Sequence, residues 1–257
     1  MLNWVVLFVS IVGAGAQPGD PITVSAAVSL REVLTEIASD YEASTGQRVT
    51  FNFGSTGRLA QQIEQGAPVD LFISASESQM VRLIDAGAVD RASSVVVARN
   101  RLVVIVPADA RFVPDRLASL ADPRIRRIAI GQPATVPAGE YALGALERSG
   151  VAGAVRDRLI QGANVRQGMD YVMRGEVDGG LVYRTDAVAA GAGVKVAFVV
   201  DDALHAPIVY LAAIVTTSRR ADAAGAFVAY LRSDPAVARM RHRGFITDAP
   251  ATQPAGR

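Results

Sequence analysis

The 257-residue chain is 50% apolar and 20% charged, which is apolar enough to bury a large core and excludes a disordered segment. Its 26 basic and 25 acidic residues leave a formal charge of +1, too little to gather DNA, RNA or an anionic membrane, so nucleic acid is not an expected partner. With no cysteine there are neither disulfides nor a thiol for a lipid anchor.

The first pattern is an apolar run, Trp4 to Val12, followed by the small residues Gly13 to Ala16. It predicts a signal peptide over 1–16, although no Lys or Arg precedes it, because the run is shorter than the roughly 18 apolar residues of a membrane span. From Ile22 onward, short Val- and Ile-rich runs alternate with helical periodicity, the pattern of an α/β fold. Strands are predicted at Ile22–Ser25, Val49–Phe53, Leu71–Ser74, Leu102–Val106, Ile128–Ile130, Gly180–Tyr183, Val194–Val200 and Ile208–Val215, with helices between them. The best helix follows Ser29: Leu30, Val33, Leu34, Ile37 and Tyr41 share one face, and Thr45-Gly46 ends it. Others run from Pro137 to Leu146, through Met169, Val172 and Met173, from Ala223 to Arg232, and onward from Asp234-Pro235. No repeat or Pro/Ser linker divides the chain, so two lobes would have to be joined by crossing strands, with candidate crossings at Ala98–Leu102 and Lys195–Asp202.

Four strand-to-helix junctions put small or hydroxyl residues where a helix begins. Ser29 is placed at an N-cap; Gly54-Ser55-Thr56-Gly57 combines two hydroxyls with glycines that admit a close ligand; Val136-Pro137-Ala138-Gly139 and Ala163-Asn164-Val165-Arg166 leave first-turn amides uncovered. Helix N-termini carry partial positive charge and free N–H donors, so a ring of them forms an anion trap that needs no lysine and no metal. About half a dozen charge-assisted hydrogen bonds, at roughly 1.5–3 kcal/mol each, suffice for micromolar to nanomolar capture after ordering costs. Taken singly, each junction is equally ordinary βα-turn chemistry, and Ser29 alone reads as a plain cap.

These blocks together carry a resemblance. Ser25-Ala26-Ala27-Val28-Ser29-Leu30, Gly54-Ser55-Thr56-Gly57 with 59–66, Ala67-Pro68-Val69-Asp70-Leu71-Phe72-Ile73-Ser74-Ala75, Val136-Pro137-Ala138-Gly139-Glu140-Tyr141-Ala142 and Gly179-Gly180-Leu181-Val182-Tyr183 resemble the periplasmic molybdate-binding protein family in order and spacing, over Ile22 to Ile246. The resemblance implies a type II periplasmic binding fold: two α/β lobes, 22–100 plus 202–249 and 101–201, joined by a hinge of two crossing strands. It implies a molybdate or tungstate ligand held by hydroxyls and amides of Ser29 and Thr56, backbone amides of Ala138 and Val165 and the hydroxyl of Tyr183, with Ser55 assisting. Molybdenum is then bound only as the oxyanion, with no cofactor. The partner implied is the inner-membrane permease of an ABC importer, and the protein a periplasmic monomer. Thr56 stands where the family more often has serine and Val28 where it usually has alanine, which leaves the preference among oxyanions open.

Rival functions fare worse on the residues. A serine hydrolase needs a histidine base, and only His205 and His242 exist, both read as bland loop or surface residues; Gly54-Ser55-Thr56-Gly57 is not a nucleophile elbow. A metal site would need clustered ligands, whereas Asp70, Asp85, Asp90, Asp178 and Asp186 are dispersed. A regulator's ligand-sensing domain would need a helix-turn-helix before Ile22. Another tetrahedral oxyanion such as sulfate is the nearest alternative, since a donor-only ring suits any fully deprotonated anion, while phosphate would want a carboxylate acceptor. Asp70 is the one carboxylate weighed for that role, with strand-end structure the stronger reading. Tyr183 has its own alternative, an aromatic that ends a strand and packs on a neighbour, and the hydroxyl role implied by the resemblance is preferred because Arg184-Thr185-Asp186 is read as turning away from the core.

Overall fold

A computed structural model describes residues 20–247; the expected signal segment 1–16 lies outside them. The first part of the chain runs β1 (Ile22–Ala27), α1 (Arg31–Thr45), β2 (Val49–Gly54), α2 (Thr56–Glu64), β3 (Leu71–Ser74), α3 (Glu77–Asp85) and β4 (Val95–Arg99). The middle runs β5 (Leu102–Pro107), β6 (Ile128–Gly131), α4 (Pro137–Arg148), α5 (Ala152–Val155), β7 (Leu159–Gly162), α6 (Val165–Met173), β8 (Gly179–Tyr183), α7 (Arg184–Ala190) and β9 (Val194–Val199). Then come β10 (Val209–Ile214), α8 (Ala221–Leu231) and α9 (Asp234–His242).

The strands form two five-stranded sheets of the same design. The first has the order β2-β1-β3-β10-β4, and the second β7-β6-β8-β5-β9. In each, three parallel strands are followed by a strand antiparallel to both its neighbours, β10 in one and β5 in the other. The topology therefore repeats although the sequence does not. The chain leaves the first sheet through Asn100-Arg101, between β4 and β5, and returns over 200–208 to β10.

Helix α1 shows why these segments fold as they do. Val33, Leu34, Ile37, Ala38 and Tyr41 are buried on one side, each large apolar side chain worth roughly 1.5–3 kcal/mol when removed from water. Gly46 ends the helix with φ 73°, a left-handed conformation that glycine adopts at no steric cost, and its amide returns to the Glu42 carbonyl. The parallel β-α-β connections place the starts of α1, α2, α4 and α6 beyond the C-terminal ends of β1, β2, β6 and β7.

Two strands escape the sequence pattern. Strand β4 reads only as an apolar run broken by Arg99-Asn100-Arg101, and the edge strand β7 has just two adjacent apolar residues, Leu159 and Ile160, before Gln161. Helix α7 also corrects an expectation: it starts directly at Arg184, and its turn brings Thr185, Asp186 and Ala187 into the interior.

Candidate binding cleft

A small cavity lies where the two sheets' strand ends face each other. Ala27, Val28 and Ser29 line it from the end of β1, Gly54, Ser55 and Thr56 from the start of α2, and Ala75 from the end of β3. Val136, Pro137, Ala138, Val165 and Tyr183 line it from the second sheet's side. All six residues predicted for the site thus meet at one place, and none of the lining side chains is charged. The cavity is small, about 10 Å³.

Each wall has its own local cause. On the first side, Ser55 precedes α2 with extended backbone (φ −70°, ψ 140°), but its side chain caps nothing. Its Oγ is buried with no hydrogen-bond partner. Thr56 Oγ1 accepts the Ala75 amide at 3.2 Å, which leaves its own hydrogen free. Ser29 is not the N-cap expected of it: it lies inside a 3-10 turn, Val28–Leu30, that precedes α1, and its Oγ instead meets Tyr210 Oη at 2.9 Å. On the second side, Pro137 opens α4 and fixes the backbone so that the Ala138 amide, the first of the helix and without an intrahelical acceptor, fronts the cavity, while the Gly139 and Glu140 amides donate to the Val136 carbonyl at 2.9 and 3.1 Å. Asn164 caps α6 by accepting the Gln167 amide at 3.0 Å, and Val165 is the first helical residue. Tyr183 Oη is fully enclosed and, like Ser55 Oγ, has no partner. Burial, reinforced by neighbouring Tyr210 and Tyr141, holds its phenol well above the usual value, so it remains a donor.

A family model described as "Bacterial extracellular solute-binding protein" matches residues 22–246. The chain belongs to this family. A Bacillus subtilis (strain 168) protein whose name describes it as an ABC transporter substrate-binding lipoprotein is 37% identical over 232 residues, 88% of this chain and 86% of that one. The molybdate-binding protein ModA of Haemophilus influenzae is 36% identical over 222 residues, 84% of this chain and 85% of that one. Among solved structures, the periplasmic molybdate-binding protein of Azotobacter vinelandii superposes with a TM-score of 0.80 at 25% identity, covering 89% of this chain and all of that one. The fold is accordingly the two-sheet periplasmic binding fold anticipated from the sequence.

In this solute-binding protein the two sides also touch around the cavity. The Gly57 amide donates to the Thr135 carbonyl at 3.0 Å, and a Cβ at Gly57 would lie 2.9 Å from Thr135 Cα and O, closer than packing allows. Arg166, directly after Val165, reaches Glu32 of α1 at 2.6 Å with Nη2 and Asp186 of α7 at 2.9 Å with Nε. Asp186 accepts the Tyr183 amide at 3.2 Å. Burial pushes its carboxyl up to about 6, although Arg166 and the Tyr183 amide pull the other way. Asp70, by contrast, serves the opposite end of the first sheet, accepting the Thr23 amide at 2.8 Å and the Ser218 hydroxyl at 2.7 Å. His205 is buried rather than solvated: Nδ1 lies 2.7 Å from the Ala206 carbonyl and the ring packs edge-on to Tyr141 at 6.0 Å. Among the described residues no group of three or more His, Cys, Asp and Glu is placed to hold a metal ion.

Proposed function

We propose that this cleft captures a fully deprotonated tetrahedral oxyanion, molybdate or tungstate, through the hydroxyls of Ser29, Ser55, Thr56 and Tyr183 and the backbone amides of Ala138 and Val165. The observation that carries this reading is the pair of enclosed, partnerless hydroxyls, Ser55 Oγ and Tyr183 Oη, facing one uncharged cavity at four helix starts. A buried donor without an acceptor costs about 1–3 kcal/mol, and a ligand made only of acceptor oxygens removes that cost at both groups together. Ligand names of the relatives point the same way: molybdate is named for the Haemophilus and Azotobacter proteins. The protein would serve in the periplasm as a monomer, its halves 22–100 plus 202–249 and 101–201 closing on the anion before it passes to the permease of an ABC importer. Neither histidine is a hydrogen-bond partner of a cleft serine, so hydrolysis has no base there.

The test is a thermal-shift panel of molybdate, tungstate, sulfate, inorganic phosphate and Fe(III). At a hundredfold excess over its dissociation constant, molybdate or tungstate is expected to stabilise the fold by about 2.7 kcal/mol through mass action. No shift with either anion refutes the assignment, and a shift with sulfate alone moves it to that ligand.

A further inference from the structure

Behind Ser29 stands a chain of hydrogen bonds whose direction can be worked out by counting donors. Asn100, at the crossing between β4 and β5, accepts the Arg101 amide on Oδ1 at 2.9 Å, which fixes which end of its side chain is the amide nitrogen. That nitrogen has two hydrogens and meets two oxygens, Thr185 Oγ1 at 2.9 Å and Tyr210 Oη at 3.0 Å. Tyr210 Oη is therefore already an acceptor, and its other partner is Ser29 Oγ at 2.9 Å. If Ser29 donated to Tyr210, the phenol hydrogen would be left without an acceptor in a fully buried residue, a penalty of roughly 5- to 150-fold in that arrangement's population. The reverse order places the unused hydrogen on Ser29, which lines the cavity. Burial also keeps the Tyr210 phenol protonated by raising its pKa well above the usual value.

We infer that Tyr210 and Asn100 are positioning residues that turn Ser29 into a fixed hydrogen-bond donor toward the cleft, biasing the site toward oxyanions that carry no proton. The inference rests on the oxyanion reading of the cleft. It assigns to two hinge-side residues, outside the cavity lining, a share in choosing the ligand. A serine whose oxygen accepts from Tyr210 and whose hydrogen faces the anion meets a bare oxygen favourably, and meets the hydroxyl of a protonated anion with donor opposing donor.

The experiment is calorimetric titration of molybdate and inorganic phosphate into wild type, Ser29→Ala, Tyr210→Phe and the double variant. Tyr210→Phe is expected to weaken molybdate by about 3- to 10-fold and phosphate by less, because a released serine can rotate and accept. In the double variant, molybdate affinity is expected to match Ser29→Ala alone, since Tyr210 acts through that hydroxyl. Losses that multiply, or equal weakening of both anions by Tyr210→Phe, overturn the inference while leaving the oxyanion reading intact. Failure of wild type to bind either anion overturns both. Should Tyr210→Phe not fold, Asn100→Ala with and without Ser29→Ala makes the same comparison: matching affinities support the relay and multiplying losses refute it.

Discussion

The two walls of the cleft offer hydrogen-bond donors by different means. The first presents side-chain hydroxyls, Ser29, Ser55 and Thr56, while the second presents mostly backbone amides, at Ala138 and Val165, with Tyr183 the one side-chain donor. A hydroxyl can be removed by one substitution without moving the chain. A backbone amide can be displaced only by moving the helix that carries it, and on the second wall that helix is held by glycine: a Cβ at Gly139 would lie 1.9 Å from the Gly131 carbonyl oxygen. One wall is therefore specified by which residues it has, the other by how closely two backbones approach.

The largest test breaks the second wall. Gly139→Ala is expected to cost about 3 kcal/mol or more of stability by forcing α4 away from β6, and to abolish oxyanion binding with it. Denaturant melts and calorimetry read both, and a variant that binds normally would show that the glycine contact does not position the amides. Asp186→Asn, behind the same wall, comes next. Because burial raises the folded-state pKa to about 6, above the unfolded value, ionisation of Asp186 opposes folding: its contribution is full below about pH 4 and is lost as pH rises through about 6. Wild type should therefore gain about 3 kcal/mol relative to Asp186→Asn as pH falls from above 6 to below 4, and parallel stability curves for the two would contradict that. The finest test sets one wall against the other. Thr56→Ala should weaken molybdate by about 1–3 kcal/mol with the fold retained, whereas Val165→Ala, which keeps its amide, should change affinity by less than about threefold. Similar losses from the two would erase the distinction between the walls.

The same distinction governs how much the sequence discloses. Strand and helix patterning follows from apolar periodicity, and the parallel strands of both sheets except β7 are readable from it. Ser55 and Thr56 announce themselves as hydroxyls between two glycines. Ala138 and Val165 carry no chemical signal of their own, and only likeness to a family makes them candidates. Asn100 and Tyr210 show the limit: one looks like a polar break between two apolar runs and the other like one more residue of a buried strand. They meet Ser29 because β10 returns to the first sheet from more than a hundred residues away, and no local pattern records that. Asp186 was misread because a strand that leads into a helix without a loop gives no turn signal.

The contacts that join the two sides around the cavity have a consequence in time rather than in energy. The hydroxyls of Ser55 and Tyr183 are enclosed while Gly57 stays bonded to Thr135 and Arg166 bridges Glu32 and Asp186. On the proposed closure of the halves over the anion, capture takes two steps, and the observed association rate should level off at high anion concentration, at the frequency with which the halves part. On the same proposal release waits on that event, so a partner that prises the halves apart would set the pace of delivery.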